Sequence, residues 1–481
     1  MPNTKQFILR IGSNAEKHYI YKTVPFFDAV IARANYFESS KGLASSLFIK
    51  LNIFKKQSTF IIDPCTYVYA LDPTQNLSIK SWVKCKKEDA IKKVTENLRL
   101  EESEDPRVYI REIIGPKSKD LGKVEINTIK RSYRTLADVF FNSELANVVG
   151  KRAIVPDDFK DGTILSNFVM NVVNYQKYSL IKQYDKEKYQ DFRQGVKEPK
   201  VVLSPYFSIN NYSWLGLMIK LWTAFESQTD ILNPGLVVLV DKKFFTKNSE
   251  RISQELLKLK TSNIFIWVTD YKDHKVNEDE LNSYAKFVID LSQNGKNVFD
   301  LYSGGFTTYL IPYGLCGVTN GTGYGMDKDI EPVQGGTISA QYYIPSLHTR
   351  QQVFESYTII VNNQIDQSKK NFHKQICNCP ICQVGIETKA SDMLEFFGSL
   401  GDIRYDINGT AHRYPKPESI ERCNFHFILS RLIEFRWAKN ASKNDVIAKL
   451  NEEIELWSKS TDDPKSNIHL IRWRDTLASL K

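Results

Sequence analysis

Short apolar runs alternating with amphipathic stretches fill the middle of the chain. Thr59-Phe60-Ile61-Ile62-Asp63-Pro64 is such a run, ending in a carboxylate. From residue 126 a rhythm sets in. A helical segment (Ile126 to Val149) leads to the run Arg152 to Asp157, and a second (Ile164 to Tyr184) to Val201 to Pro205. A third (Trp214 to Glu226) precedes Leu236 to Asp241, a fourth (Glu250 to Leu259) Ile264 to Asp270, and a fifth (Glu278 to Gln293) Val298 to Leu301. Runs of this length between helices predict parallel strands buried on both faces. With Asp63's strand first there are six, and Leu315 to Val318 and Gln341 to Ile344 make seven and eight. Eight strands with intervening helices predict an α/β fold, a (β/α)8 TIM-like barrel. An open doubly wound sheet is the rival, but no G-x-G-x-x-G follows the first strand.

The flanks read differently. Residues 1–58 mix β-like stretches (Gln6 to Ile11, His18 to Tyr21) with a helical run toward Ile53, and are expected as an N-terminal extension laid ahead of a barrel spanning 59–350. Residues 84–125 are dense in Lys and Glu, which predicts an exposed, partly disordered insertion. A metal-binding subdomain is expected over 351–440 and a helical tail over 441–481.

The metal reading comes from Cys377-Asn378-Cys379-Pro380-Ile381-Cys382, answered by Cys423-Asn424-Phe425-His426. A C-x-C-x-x-C run sets three thiols on one tight turn, and thiolates are preferred ligands of tetrahedral zinc. Cys423 and His426 lie one helical turn apart, so either can supply the fourth bond. Four protein ligands leave no open position, so the Zn2+ is expected to be structural. Reduced cysteines in a loop, or a disulfide, are the bland alternative.

In a barrel the C-terminal strand ends carry the chemistry. Asp63, Asp157, Asp241, Asp270 and Asp300 fall at or near such ends, although any one of them could simply cap the next helix. Asp63, Asp300 and Asp157 are the catalytic candidates. The glycine-rich stretch Gly314 to Gly325 lets backbone approach a ligand closely, and it is not a Walker loop. Gly321, Gly323 and Tyr324 from it, with His348 and Arg350 beyond it, are substrate-binding candidates, because aromatic and basic side chains together suit base stacking and phosphate contact.

Composition only tilts the picture. The chain has 481 residues, 42% apolar and 12% aromatic, enough for a large core. A net charge of +9 favours a polyanionic partner, but 56 acidic residues are interspersed with the 65 basic ones. Arg422, Arg431, Arg436, Lys439, Arg472 and Arg474 are the expected phosphate-facing set. No window approaches membrane-spanning length and no signal peptide opens the chain, so a cytoplasmic protein with no membrane partner is expected.

The order of parts resembles the tRNA-guanine transglycosylase superfamily, which includes members that exchange bases in DNA. Its barrel has an Asp at the first strand end and a late C-x-C-x-x-C zinc motif, followed by a helix opening His-Asn-Leu. Here Cys423-Asn424-Phe425-His426-Phe427-Ile428-Leu429 is similar to that helix, which implies Cys377, Cys379, Cys382 and Cys423 as ligands with His426 in reserve. Asp63-Pro64-Cys65-Thr66-Tyr67 stands where the family has Asp-Ser-Gly-Gly-Phe, and Asp157-Asp158 near its second base-binding Asp, which implies Tyr67 and Asp158 as further substrate-binding residues. The family's nucleophilic Asp, in Phe-Asp-Cys-Val-x-Pro-Thr-Arg on the seventh strand, has no counterpart in Gly314 to Asn320.

The resemblance implies an enzyme acting on a base–sugar N-glycosidic bond after flipping the nucleotide out. Because the nucleophile is missing, base removal by a DNA glycosylase, with modified or foreign DNA as target, is at least as expected as base exchange. DNA is favoured over tRNA, and a homodimer stays open. A zinc-stabilised nucleic-acid binder on an inactive barrel, and a (β/α)8 hydrolase with a catalytic metal on its acidic rim, are the other classes.

Overall fold

The computed structural model describes residues 5–11, 27–39, 59–72, 78–85, 110–113, 122–129, 131–184, 199, 201–228, 231, 233–321, 330, 339–365, 367–405, 411–459 and 467–480. Eight strands close into a parallel barrel: β1 (Gln6–Ile11), β2 (Ala29–Arg33), β3 (Thr59–Asp63), β4 (Val201–Leu203), β5 (Pro234–Asp241), β6 (Asn263–Thr269), β7 (Asn297–Asp300) and β8 (Leu315–Asn320). They run round the ring in chain order, and β8 pairs with β1 to close it.

The expected fold stands, but on a different set of strands. Gln6–Ile11 and Ala29–Arg33 are the first two barrel strands and not an extension laid ahead of it. Asp63 therefore ends the third strand. Residues Arg152 to Asp157 form no strand: Val149 and Arg152 make an isolated bridge, and Pro156–Phe159 is a single 3-10 turn. Pro156 lacks the N–H that a central strand would need. Gln341–Ile344 pairs antiparallel with Thr349–Gln352 as a hairpin outside the barrel. The segment expected as helix from Ile126 begins as strand, since Gly122–Ile129 pairs with Ser78–Cys85 and Ile110–Ile113 in a three-stranded antiparallel sheet; the helix starts at Arg131. Other parts of the charged insertion, and His18 to Tyr21, lie outside the described residues. No helix among the described residues is long and apolar enough to cross a membrane.

The chain falls into two compact units: Met1–Val30, Lys56–Ser58 and Val240–Lys481 in one, Ile31–Lys55 and Thr59–Leu239 in the other. In the first, strand register fixes which side chains face the barrel interior. Phe7 packs against Phe435 of the helix Pro417–Asn440, with ring centroids 5.7 Å apart, so Phe7 faces the helix layer. Its register partner Val318 and that residue's partner Asp300 share that face. Alternation then sends Ile8, Thr319, Gly317, Phe299 and Phe265 inward. Gly317 has to be glycine, because a Cβ there would run into the Phe299 ring. In the second unit Phe60 meets Phe37 of the helix Ala34–Ser39 edge-on at 5.8 Å, so Phe60 faces outward and Asp63, three residues on, faces inward.

Candidate metal centre

The three sulfurs are brought together by capping chemistry. Cys379 is the N-cap of the short helix Pro380–Gly385, with Pro380 at its first position, where a missing N–H costs nothing. Its Sγ accepts from Cys382 N–H at 3.4 Å, and Cys377 Sγ accepts from Cys379 N–H at 3.4 Å. These donors turn the thiols inward onto one point. The fourth donor is His426, from the middle of the helix Pro417–Asn440. Its Nδ1 lies 3.3 Å from Cys379 Sγ, 3.3 Å from Cys382 Sγ and 3.7 Å from Cys377 Sγ. All four donor atoms lie within 4.8 Å of one another and all four residues are buried.

The imidazole is fixed from behind. His426 Nε2 donates to the Tyr343 carbonyl at 2.6 Å, which leaves the Nδ1 lone pair aimed at the sulfurs, the arrangement that orients a metal-binding histidine. Tyr342 stacks on the same ring at 4.1 Å, and its hydroxyl meets Cys382 Sγ at 3.2 Å. Hydrogen bonds from the Cys377 and Cys382 thiols hold the Cys379 sulfur far below the ordinary thiol range, while burial pushes Cys382 well above it. These neighbouring thiols titrate apart because a second bare thiolate there is costly; a cation removes that cost.

The donor set fits a metal ion. Bonds of about 2.3 Å to sulfur and about 2.0 Å to nitrogen, arranged tetrahedrally, separate a sulfur from the nitrogen by roughly 3.5 Å. The three observed separations, 3.3, 3.3 and 3.7 Å, bracket that value. Cys423, expected as the fourth ligand, stands aside. It sits three residues before His426, about 4.5 Å lower along the helix axis. Its thiol points to the Phe397 carbonyl at 3.7 Å, and burial pushes it up to about 12. Sequence spacing leaves both residues open; the helix phase decides for His426.

The carboxylate candidates separate in the same way. Asp63 is fully buried at the end of β3, and its Oδ1 accepts from Tyr206 Oη at 2.6 Å and Cys65 N–H at 3.0 Å. Cys65 holds a left-handed φ of 51° to make that turn. Tyr67 stacks on Tyr206 at 5.6 Å, and Thr66 Oγ1 bridges the Tyr206 backbone. Burial, with Asp63 beside it, pushes the Tyr206 phenol well above its ordinary value, so it stays a donor. Asp300 faces the helix layer: its Oδ1 accepts from Tyr302 N–H at 3.0 Å, and burial with this carboxylate nearby raises the Tyr284 phenol.

The remaining candidates do not gather at a rim. Asp157 is exposed and pairs with Lys160 at 3.0 Å. Asp158 grips Arg152 through two hydrogen bonds and caps Val155 N–H. Asp241 caps the helix Lys242–Leu257, and Asp270 is exposed on a φ of 53°. His348 is buried among Tyr309, Tyr343, Glu434 and Glu453. Arg350 donates to Asn424 Oδ1 at 2.5 Å and lies over Phe427. Gly321 is buried just past β8; Gly323 and Tyr324 lie outside the described residues. Arg431, expected on a phosphate-facing surface, is buried, and Arg474 pairs with its neighbour Asp475. The buried cluster of Arg431, Glu434, Glu453, His348 and Tyr343 escapes sequence reasoning, because its members are scattered from 343 to 453 and share no spacing motif.

No protein family, no curated protein and no solved structure matches the chain.

Proposed function

We propose that the protein is a zinc-stabilised (β/α)8-barrel enzyme that breaks the base–sugar bond of a nucleobase held in nucleic acid, DNA before tRNA. The observation that carries this reading is Asp63. Among the expected catalytic carboxylates it alone is buried, inward-facing and at a C-terminal strand end, with two donors on one oxygen. The nature of the bond rests on the resemblance of the cysteine cluster, and of the run Asp63 to Tyr67, to the transglycosylase superfamily, although Asp63 ends the third barrel strand here and the family's Asp the first.

Zinc is the ion that the Cys377, Cys379, Cys382 and His426 donors suit, and with four protein ligands it holds the fold together and leaves substrate untouched. On the barrel, Tyr206 and the Cys65 amide hold the Asp63 carboxylate in one orientation. Its negative charge offsets the oxocarbenium-like charge that develops on the sugar. Asp63 takes a proton from water as the water oxygen bonds to C1′; the C1′–N bond breaks, its electron pair stays on the base, and the proton held by Asp63 passes through solvent to that base, which restores the carboxylate. The products are an abasic sugar and a free base. Hydrolysis is preferred over exchange because β7 and β8 direct no carboxylate inward: Asp300 faces the helices, and the inward residue near the end of β8 is Thr319, which cannot carry a stable sugar ester as a carboxylate can.

The test is incubation of the holoprotein with unmodified DNA, DNA carrying modified bases, and tRNA, followed by mass spectrometry of released bases and a search for alkali-labile breaks. Base release that disappears in Asp63→Asn supports the reading. Base incorporation through a covalent adduct, with no abasic product, replaces hydrolysis by exchange. Salt-sensitive binding with no release from any substrate makes the protein a binder.

A further inference from the structure

The helix that supplies His426 also supplies Arg431, five residues on, and Arg431 uses its whole guanidinium at the ends of two barrel strands. Nε donates to Asn320 Oδ1 at 3.1 Å, on the helix face of β8. One terminal nitrogen donates to the Gly304 carbonyl at 2.5 Å and to Thr308 Oγ1 at 2.5 Å, both just after β7. The other donates to Tyr343 Oη at 3.2 Å and pairs with Glu434. The five donors of a guanidinium form a rigid fork, and here every one is used. Burial opposes the charge, but Tyr343 and Glu434 outweigh it and raise the group further.

What Arg431 grips is stitched to the barrel's inner wall. Ser303, next to Gly304, donates its N–H to the Thr319 carbonyl at 3.0 Å, and its Oγ accepts from Thr319 N–H at 2.9 Å. Ser303 Oγ also reaches the Asp300 carbonyl at 3.3 Å. Gly304 can approach only because it lacks a side chain, since a Cβ there would collide with the Asp273 carboxylate. On the other side the fork leads to the metal cluster through one residue. The Tyr343 hydroxyl accepts from Arg431 and donates to Glu434, and its carbonyl accepts from His426 Nε2. The fork, Tyr343 and the imidazole are thus linked without a gap.

We propose that Arg431 is a positioning residue: it holds the ends of β7 and β8 in one geometry, and it does so only while the Cys377, Cys379, Cys382 and His426 subdomain is assembled around its ion. The consequence for turnover rests on the functional reading above; the positioning itself does not.

The experiment is hydrogen exchange by mass spectrometry on the full-length holoprotein, which needs no substrate. Arg431→Lys keeps the charge and removes the fork. It should exchange about tenfold faster over 300–309 and 315–321, with β5 and β6 unchanged and metal content retained. Chelation of the wild type with 1,10-phenanthroline should produce the same pattern. Tyr343→Phe, which deletes the hydroxyl and keeps the carbonyl, should raise exchange at the same segments about threefold. Unchanged protection at 300–309 and 315–321 in Arg431→Lys with metal retained overturns the proposal, as does an equal rise over every barrel strand. If Arg431→Lys does not fold, the chelation and Tyr343→Phe arms decide: loss of protection confined to 372–386 overturns it. A protein with this exchange pattern that releases no base refutes the proposed reaction and supports the positioning role.

Discussion

Replacing either possible fourth ligand gives opposite results, and the structure sets both sizes. In His426→Ala the ring that closes the site is gone, and with it the hydrogen bond to the Tyr343 carbonyl at 2.6 Å and the 4.1 Å stack with Tyr342. Three buried sulfurs then face one another without a fourth donor. Ion binding by a structural zinc site is worth about 10–16 kcal/mol of apparent free energy, and all of it is folding energy where the apo site does not form alone. A domain is stable by only roughly 5–15 kcal/mol, so losing even half of that binding energy leaves little, and His426→Ala should be metal-poor and unfold readily. In Cys423→Ala one small buried thiol is lost, with a weak contact to the Phe397 carbonyl at 3.7 Å. The cost is about 1 kcal/mol, from transfer and a cavity of methyl size.

Elemental analysis of protein purified without chelator, paired with thermal melts, reads both effects. Wild type and Cys423→Ala should carry close to one zinc per chain and melt within a few degrees of each other. His426→Ala should lose most of its zinc and its cooperative transition. Full zinc in His426→Ala together with loss in Cys423→Ala would refute the assignment, and with it the argument from helix phase.

Named contacts set three further outcomes. Asp63→Asn should slow base release by about a thousandfold and Tyr206→Phe by about tenfold, both measured by the released-base assay at unchanged metal content. Gly304→Ala must push the Asp273 carboxylate off the Thr307 N–H, because the new Cβ takes its place; chemical denaturation should show a loss of about 1–3 kcal/mol. His348 titrates upward: burial lowers it, but Glu453 and Glu434 outweigh burial and raise it from 6.5 to about 9. A raised folded-state value means its contribution is fully present below pH 6.5 and is lost as pH rises through about 9. Denaturation midpoints across that window should fall in wild type and stay flatter in His348→Asn, a residue that also tolerates the φ of 54°.

Much of the barrel is legible in sequence because parallel strands buried on both faces read as unbroken apolar runs. Leu236 to Val240 and Ile264 to Val268 fall inside β5 and β6, and recognising them needs no knowledge of their partners. Other strands are not legible in this way. Gln6–Ile11 pairs with β8, at the far side of the barrel sequence, and nothing in its own residues names that partner. Gln341–Ile344 is as apolar as a barrel strand, yet Pro345 and a turn at His348, with its φ of 54°, fold it onto Thr349–Gln352 instead. The cysteine turn is legible for the opposite reason, since capping within one short segment fixes three donors locally. The fourth donor depends on how the helix Pro417–Asn440 is rotated, which its packing decides.

The same distinction governs the aspartates, and it bears on the chemistry. An Asp at the end of a β-run has two places to point, and a shift of one residue exchanges them. Asp63 and Asp300 look alike in sequence: each follows an apolar strand and accepts a backbone N–H two residues on, from Cys65 and Tyr302. Pairing separates them. Phe60 against Phe37 turns Asp63 inward, whereas the register from Phe7 through Val318 turns Asp300 toward the helices, beside Tyr284. A single inward carboxylate can orient water and balance charge on a sugar, but it cannot at once form the sugar ester and serve as its general base. Trapping a covalent adduct at Asp300 would therefore do more than change a residue's role: it would require β7 to shift register by one, moving Phe299 from its 4.8 Å stack with Phe265 out into the helix layer.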